Sequence, residues 1–285
     1  MEEKNKVEKS TLYLVGTPIG NLADISQRAL KTLSEVDFIA AEDTRNSMKL
    51  LMAYGIKKEL VSYHEHNRAS SGERIVARLL SGESCALITD AGMPAISDPG
   101  EDLCRLCVDA GVRVTVIPGA CAVISALALS ALSTRRFAFE GFLSANKGER
   151  RRALEALRGE ERTTVFYEAP HKLKSTLADM AQILGEERRI SLCRELTKLN
   201  EDIIRTTLGE AVRLYEEKEP RGEYVLVVEG GARAAEENPL LSLSPSEHVA
   251  AYVADGMSKM DATKKAARER GISKSEMYKL VIEET

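Results

Sequence analysis

Between Thr11 and Ile117 short apolar runs alternate with stretches of helical period. The runs read LYLV, FIAA, LVSYH, CALITD and VRVTVIP, and helical patterns cover Ser26 to Ser34, the segment after Thr44, Gly72 to Leu80 and Glu101 to Ala110. Strand and helix repeating at this spacing predict a parallel sheet covered on both faces. The pattern breaks at SANKGERRRALEALRGEER, read as a domain boundary followed by a basic helix carrying Arg150, Arg151 and Arg152. Beyond it TTVFYE, RISLCRE, DIIRTTLG and EYVLVVEG read as strands and Pro170 to Leu184 as a helix, in a more mixed sheet. After Gly230 and Gly231 the polar stretch ARAAEENPLLSLSPS reads as a linker. Three short helices follow, over Ser246 to Asp255, Asp261 to Arg270 and Ser273 to Glu283. Gly271 breaks the second from the third and Ser273 caps the third, a helix-turn-helix pattern. The expected organisation is a flexible tail over 1–10, α/β domains over 11–143 and 144–231, a linker over 232–244 and a small helical domain over 245–285.

Composition narrows the class. The chain has 285 residues, 44% hydrophobic and 29% charged, which is ordinary globular usage and leaves room for about two domains. The net charge of −4 means that any nucleic-acid contact has to come from a local basic patch. Gly256 to Val281 is such a patch, with seven basic and three acidic residues. No apolar stretch reaches the roughly 18 residues of a membrane span. The start MEEKNKVEKS lacks a signal-peptide pattern, and the five cysteines lack disulfide-scaffold spacing, so the expected compartment is the cytoplasm.

In a parallel α/β sheet, ligands sit beyond the carboxyl ends of the strands. The loops there read GTPIGN, EDTRN, HEHN, DAGMPAISDPG and PGAC. The fourth, Asp90 to Gly100, spans eleven residues where a simple connection takes about two to six, and its glycines permit close backbone approach to a polar ligand such as a nucleoside. A rigid structural loop is the plain alternative. Neither a P-loop nor G-x-G-x-x-G is present, which argues against a phosphate-gripping nucleotide site and for a ligand without pyrophosphate. His64 and His66 share one side of an extended segment, but no third ligand is evident, so no metal site is expected. The C-x-x-C of Cys104 and Cys107 lies inside an amphipathic helix and reads as core thiols. Glu42, Asp43 and Arg45 at one strand end, and Arg194, Glu195 and Lys198 at another, are either surface ion pairs or substrate-orienting groups.

LVGTPIGNLADIS, AEDTR, SYHEHN, ITDAGMPAISDPG, FYEAPHKL, RELTK and GEYVLVVEG, in that order, resemble the bacterial 16S ribosomal RNA (cytidine-2′-O)-methyltransferases of the tetrapyrrole methylase superfamily. The resemblance covers about Thr11 to Gly230, with a weaker match in the tail. It implies two α/β domains of the class III methyltransferase type with S-adenosylmethionine between them, and a homodimer. On the matching residues, Pro18, Asp90, Gly92, Met93, Ile96, Ser97, Ala120, Cys121 and Ala122 would line the cofactor site. Tyr167, Glu168, Tyr224 and Val225 would form its other wall. Glu42, Arg45, His64 and Asn67 would face the RNA. Met93 stands where the family usually has Thr, and Ala120-Cys121 where it has Pro-Ser. The sulfonium methyl is already activated, so positioning carries much of the catalysis, while a base would help remove the hydroxyl proton. Asp43, His66 and Glu195 are the candidates for that base. Arg194 and Lys198 are candidates for stabilising the developing alkoxide, and Arg151, Lys264, Lys265 and Arg268 for gripping the RNA. Two rival readings are a tetrapyrrole or diphthine methylase on the same fold, and a non-catalytic, nucleoside-sensing helix-turn-helix regulator.

Overall fold

The computed structural model describes residues 6–231 and 239–283, which form two compact units that divide at Gly230. The first unit opens with five parallel strands: β1 (Thr11–Val15), β2 (Phe38–Ala41), β3 (Glu59–Ser62), β4 (Cys85–Ile88) and β5 (Arg113–Ile117). They lie in the order β3-β2-β4-β1-β5. Helices α1 (Gln27–Glu35) and α2 (Thr44–Ala53) cover one face, where Tyr13, Val15, Ile39 and Ile88 pack against Leu33 and Leu51. Helices α3 (Arg68–Leu80) and α4 (Gly100–Asp109) cover the other, where Leu12, Phe38, Ala40 and Leu87 meet Ile75, Leu79 and Leu103. Burial on both sides is why the inner strands β1, β2 and β4 read as apolar runs, while the edge strands β3 and β5 are only partly covered. Cys107 belongs to the second of these cores, and burial pushes its thiol up to about 12, which makes it inert.

Connections from β1 and β4 leave in opposite directions and cover opposite faces, so a crevice opens between their carboxyl ends. The first loop and the eleven-residue loop both issue there.

After α5 (Ala122–Leu129) comes β6 (Phe137–Phe142), which the sequence pattern had left in the first domain; it pairs in parallel with β7 (Thr163–Glu168) and belongs to the second sheet. The chain therefore crosses between the sheets before Phe137, ahead of the boundary expected at residue 144. The second sheet continues with β8 (Arg189–Arg194), β9 (Asp202–Thr207) and β10 (Tyr224–Val228) in the order β6-β7-β10-β8-β9, mixed in direction. Its outer face is covered by α6 (Lys147–Ala156), α7 (Pro170–Leu184) and α8 (Leu208–Glu217). Helix α8 is absent from the sequence reading, although Thr207 and Glu210 form a reciprocal capping box at its start.

The expected mobile tail is also revised. Residues 1–5 lie outside the described residues, but Val7 packs on the first core, the Glu8 amide donates to Tyr13 Oη at 2.8 Å and Lys9 pairs with Asp37. Among the described residues no helix is long and apolar enough to cross a membrane.

In the second unit, α9 (Pro245–Ala254), α10 (Lys259–Glu269) and α11 (Lys274–Glu283) bury Val249, Tyr252, Ala262, Ala266, Met277 and Val281 between them. Residues 232–238 of the expected linker lie outside the described residues, and Pro239–Ser242 form a 3₁₀ turn. His248 is fully buried and bridges Glu269 and Arg270. Nδ1 accepts from Arg270, so Nε2 carries the proton donated to Glu269.

Candidate active site

The crevice is built on backbone contacts that only glycine permits. Gly16 follows β1 and Gly119 follows β5, and their main chains touch: a Cβ on Gly119 would lie 2.8 Å from Gly16 Cα. Thr17 and Gly92 exchange backbone hydrogen bonds of 2.9 and 3.2 Å, which ties the first loop to the long one. Gly92 sits at φ +87°, in the left-handed region, with Ile19 and Ala120 close behind it. Met93 adds a further tie, since its thioether accepts the Gly119 N–H at 3.3 Å. A weak sulfur acceptor thus stands where the resemblance places a hydroxyl.

The long loop is held by one carboxylate. Asp98 accepts from the amides of Ala95, Ile96 and Gly100 at 3.0, 3.1 and 2.7 Å. This fixes Ala95 and Ser97 in the left-handed region, at φ 66° and 63°. Such strain costs on the order of 1–3 kcal/mol per residue and persists where the surroundings over-determine it. Asp98→Ala is expected to release the loop, weakening binding of S-adenosylhomocysteine, the product form of the cofactor that the resemblance implies, about 10-fold or more in calorimetric titration, with the thermal midpoint falling by only a few degrees.

The second sheet supplies the opposite wall. Ile19, Ala120, Cys121, Ala122 and Val123 pack with Val165, Tyr167, Cys193, Val225 and Val227. Pro18 is buried beside them. Cys121 occupies the N-cap of α5 without a side-chain cap bond, so its side chain leaves the first amides of that helix to other partners. The Val123 amide is hydrogen-bonded to the Tyr167 phenol, which burial pushes up to about 12.

Two expected wall residues are displaced by strand alternation. Tyr167 and Val225 face the apolar layer between the sheets, so their neighbours Glu168 and Tyr224 turn to the opposite face. Glu168 is 2% exposed and accepts from the Ala169 amide and the Thr176 hydroxyl while pairing with Lys172 at 3.1 Å. Tyr224 is buried against Tyr215. Both side chains stabilise the second domain's core instead of lining the site.

The charged candidates divide by their partners. Asp43 caps α2 and pairs with Arg45 at 3.0 Å, which holds its carboxyl at about 2. Glu195 accepts from Lys198 Nζ and from the Glu223 amide, each at 2.9 Å, and these hold it below the usual carboxylate range. Anions stabilised in this way are poor proton acceptors. His66 is exposed, with its ring edge-on to His64 at 5.9 Å. Asn67 shapes that loop, accepting the His64 amide and donating to the Ser62 carbonyl, while His64 Nδ1 is buried with no partner among the described residues. Glu42 accepts from Thr89, and Asn46 donates to Asp90, linking the ends of β2 and β4. No three metal-ligating side chains converge among the described residues.

Arg194 bonds the Asn200 carbonyl, and the stem of Lys198 lies where a Cβ on Gly20 would be, so the β8–β9 turn touches the first loop. Arg151, expected on an RNA face, is held by Asp179 and Gln182 at 2.9 and 2.6 Å. Arg150 beside it is buried and pairs with the same aspartate. In the second unit Lys264, Lys265 and Arg268 line a shallow cavity of about 270 Å³ on α10, and Lys265 sits over the Tyr252 ring.

Residues that the sequence reading passed over also belong to the site. Thr17 and Asp98 organise its loops, and Phe139, Gly141 and Phe142 of β6 border Tyr167 and Ser97. The signal for the last three was the glycine in FAFEGF, which marks a bulge.

Two α/β sheets whose facing loops enclose a crevice free of phosphate-binding motifs have the architecture of a class III methyltransferase. The Tetrapyrrole (Corrin/Porphyrin) Methylases family matches residues 11–212, and the chain belongs to that family and is a methyltransferase. It is 48% identical over 279 residues to "Ribosomal RNA small subunit methyltransferase I" of Halalkalibacterium halodurans, covering 97% of this chain and 96% of that one. Identity to the protein of the same name from Bacillus subtilis is 47% over 281 residues, covering 98% and 96%. Among solved structures, the uroporphyrin-III C-methyltransferase of Thermus thermophilus, complexed with S-adenosyl homocysteine, superposes with a TM-score of 0.56 at 16% identity, over 77% of this chain and 97% of that one.

Proposed function

We propose that the protein methylates small subunit ribosomal RNA with S-adenosylmethionine, at the ribose 2′-hydroxyl of a cytidine in the decoding region of 16S RNA. The observation that carries this is similarity to ribosomal RNA small subunit methyltransferases along nearly their whole length, tail included.

The crevice fits that cofactor. The glycines Gly16, Gly92 and Gly119 let the loops and their backbone groups approach closely around a ligand, and the start of α5, uncapped by a side chain, adds its helix dipole for a polar group of the cofactor. Bound there, S-adenosylmethionine would supply a sulfonium-activated methyl for a ribose oxygen, with sulfur as the leaving group. Met93 and Asp98 would hold the loops that fix the cofactor's place, and Tyr167 and Val225 would exclude water from one side. With Asp43 and Glu195 committed to ion pairs, alignment is the main catalytic contribution, and His66 remains the candidate for receiving the hydroxyl proton.

On this reading Lys264, Lys265 and Arg268 contact RNA phosphates. Lys264→Ala with Arg268→Ala in the full chain is expected to weaken RNA binding and to lower the salt dependence by about one counterion per lost contact, with S-adenosylhomocysteine affinity unchanged. The protein acts as a homodimer in the cytoplasm, where assembled small subunits are its substrate; sedimentation equilibrium tests the dimer.

The deciding experiment is methyl transfer from labelled S-adenosylmethionine to unmodified small subunits and to free 16S RNA, followed by nucleoside mass spectrometry. A 2′-O-methylcytidine product is expected. Transfer to neither, with cofactor binding intact, would point to a macrocyclic or protein acceptor.

A further inference from the structure

Strand β6 contains a bulge that changes which way its last aromatic residue points. Phe137 pairs with Thr163 and Phe139 with Val165, but the next pair is Phe142 with Tyr167. Three residues on β6 are thus matched to two on β7. In an unbroken strand Phe139 and Phe142 would face opposite sides of the sheet. The bulge puts both beside Tyr167, with ring centroids 5.0 and 5.3 Å away. Gly141 makes the bulge possible at φ +63°, and a Cβ there would lie 3.2 Å from Ser97 Oγ in the long loop. Bulges of this kind re-aim side chains next to active sites.

Phe139 packs into the apolar layer between the sheets, whereas Phe142 remains 58% exposed. Lys172 Nζ lies 5.6 Å from the Phe142 ring and is itself held by Glu168 and the Leu143 carbonyl. Ile96, 47% exposed, precedes Ser97 on the adjoining loop. An aromatic ring is thus supported from behind by Tyr167 and left open at the rim of the crevice. Aromatic faces of this kind stack bases released from a helix.

We propose that Phe142 is the stacking platform for the base of the acceptor nucleotide, holding it while its ribose hydroxyl reaches the crevice. This rests on the RNA reading above. Phe142 is a positioning residue: it binds the base and takes no part in bond making.

The protein has no tryptophan, so Phe142→Trp introduces a single reporter. Its fluorescence is expected to be quenched by a short oligoribonucleotide containing the target cytidine, and not by the same oligonucleotide with an abasic target or by S-adenosylhomocysteine alone. Phe142→Ala is expected to lower kcat/KM for RNA about 10-fold or more, with cofactor affinity unchanged and activity retained in Phe142→Trp. Equal quenching by the abasic strand, quenching by S-adenosylhomocysteine alone, or unchanged kcat/KM in Phe142→Ala would overturn the proposal. Failure of the wild-type protein to methylate any RNA would instead overturn the functional reading, so the two failures are distinguishable.

Discussion

Gly119→Ala is expected to reduce kcat/KM about 100-fold while leaving the protein folded. The added Cβ would lie 2.8 to 2.9 Å from Gly16 Cα, C and O, closer than nonbonded carbon atoms approach, and neither partner is a flexible side chain. Strands β1 and β5 pair from Thr11 with Arg113 to Val15 with Ile117, and the Gly16 amide donates to the Ile117 carbonyl at 3.1 Å. The sheet cannot yield, so the loops beyond it have to. Displacing a substrate-positioning loop by about 1 Å is enough for a loss of this size. Met93 would move too, because its sulfur accepts the Gly119 amide. Methyl-transfer kinetics check the result, alongside calorimetric titration with S-adenosylhomocysteine and a thermal melt. Gly159→Ala, which meets nothing within 4 Å, is the control. Full affinity in Gly119→Ala would show that the loops do not form the cofactor cradle.

Asp179→Ala is expected to cost about 3–5 kcal/mol of stability, because it strands buried charge. Asp179 lies on α7 with its side chain 7% exposed, bonding Arg150 at 2.7 Å through one oxygen and Arg151 at 2.9 Å through the other. Arg150 is as deeply buried, so removing the carboxylate leaves a guanidinium without its counter-charge between α6 and α7. Urea unfolding followed by circular dichroism measures the change. Replacing both partners by apolar residues, as in Arg150→Met with Asp179→Leu, is expected to recover much of the loss, since a buried ion pair often gains little over good packing. A midpoint in Asp179→Ala equal to that of the wild type would mean that the pair is solvated.

The predicted basic helix shows how far residue type goes. Arg150, Arg151 and Arg152 were legible as a cationic run on a helix, and α6 covers them. Its partner Asp179 is 29 residues beyond Arg150, and no local pattern signals that two of the three charges are neutralised inside the protein. Asp43 and Glu195 follow the same logic. A carboxylate at a strand end is legible as a candidate base, but its proton affinity depends on Arg45, or on Lys198 with the Glu223 amide.

From the sequence alone came much of what depends on local order along the chain, although helix α8 escaped it. The apolar runs determined a sheet with helices on both faces, because its inner strands are covered above and below. The lengths and glycines of the strand-end loops marked them as the candidate ligand loops, and the ordered motifs determined the family. Only the tertiary structure decided which side chains reach the crevice. Tyr167 and Glu168 are adjacent in the motif yet point to opposite faces, and the pairing partner of a strand sets which face is inward. It decided that β6 joins the second sheet and that a bulge turns Phe142 toward Tyr167, because strand register is a relation between distant segments. It decided that Gly16 and Gly119 touch across a gap of 103 residues, since parallel strands become neighbours only after the intervening helices have packed.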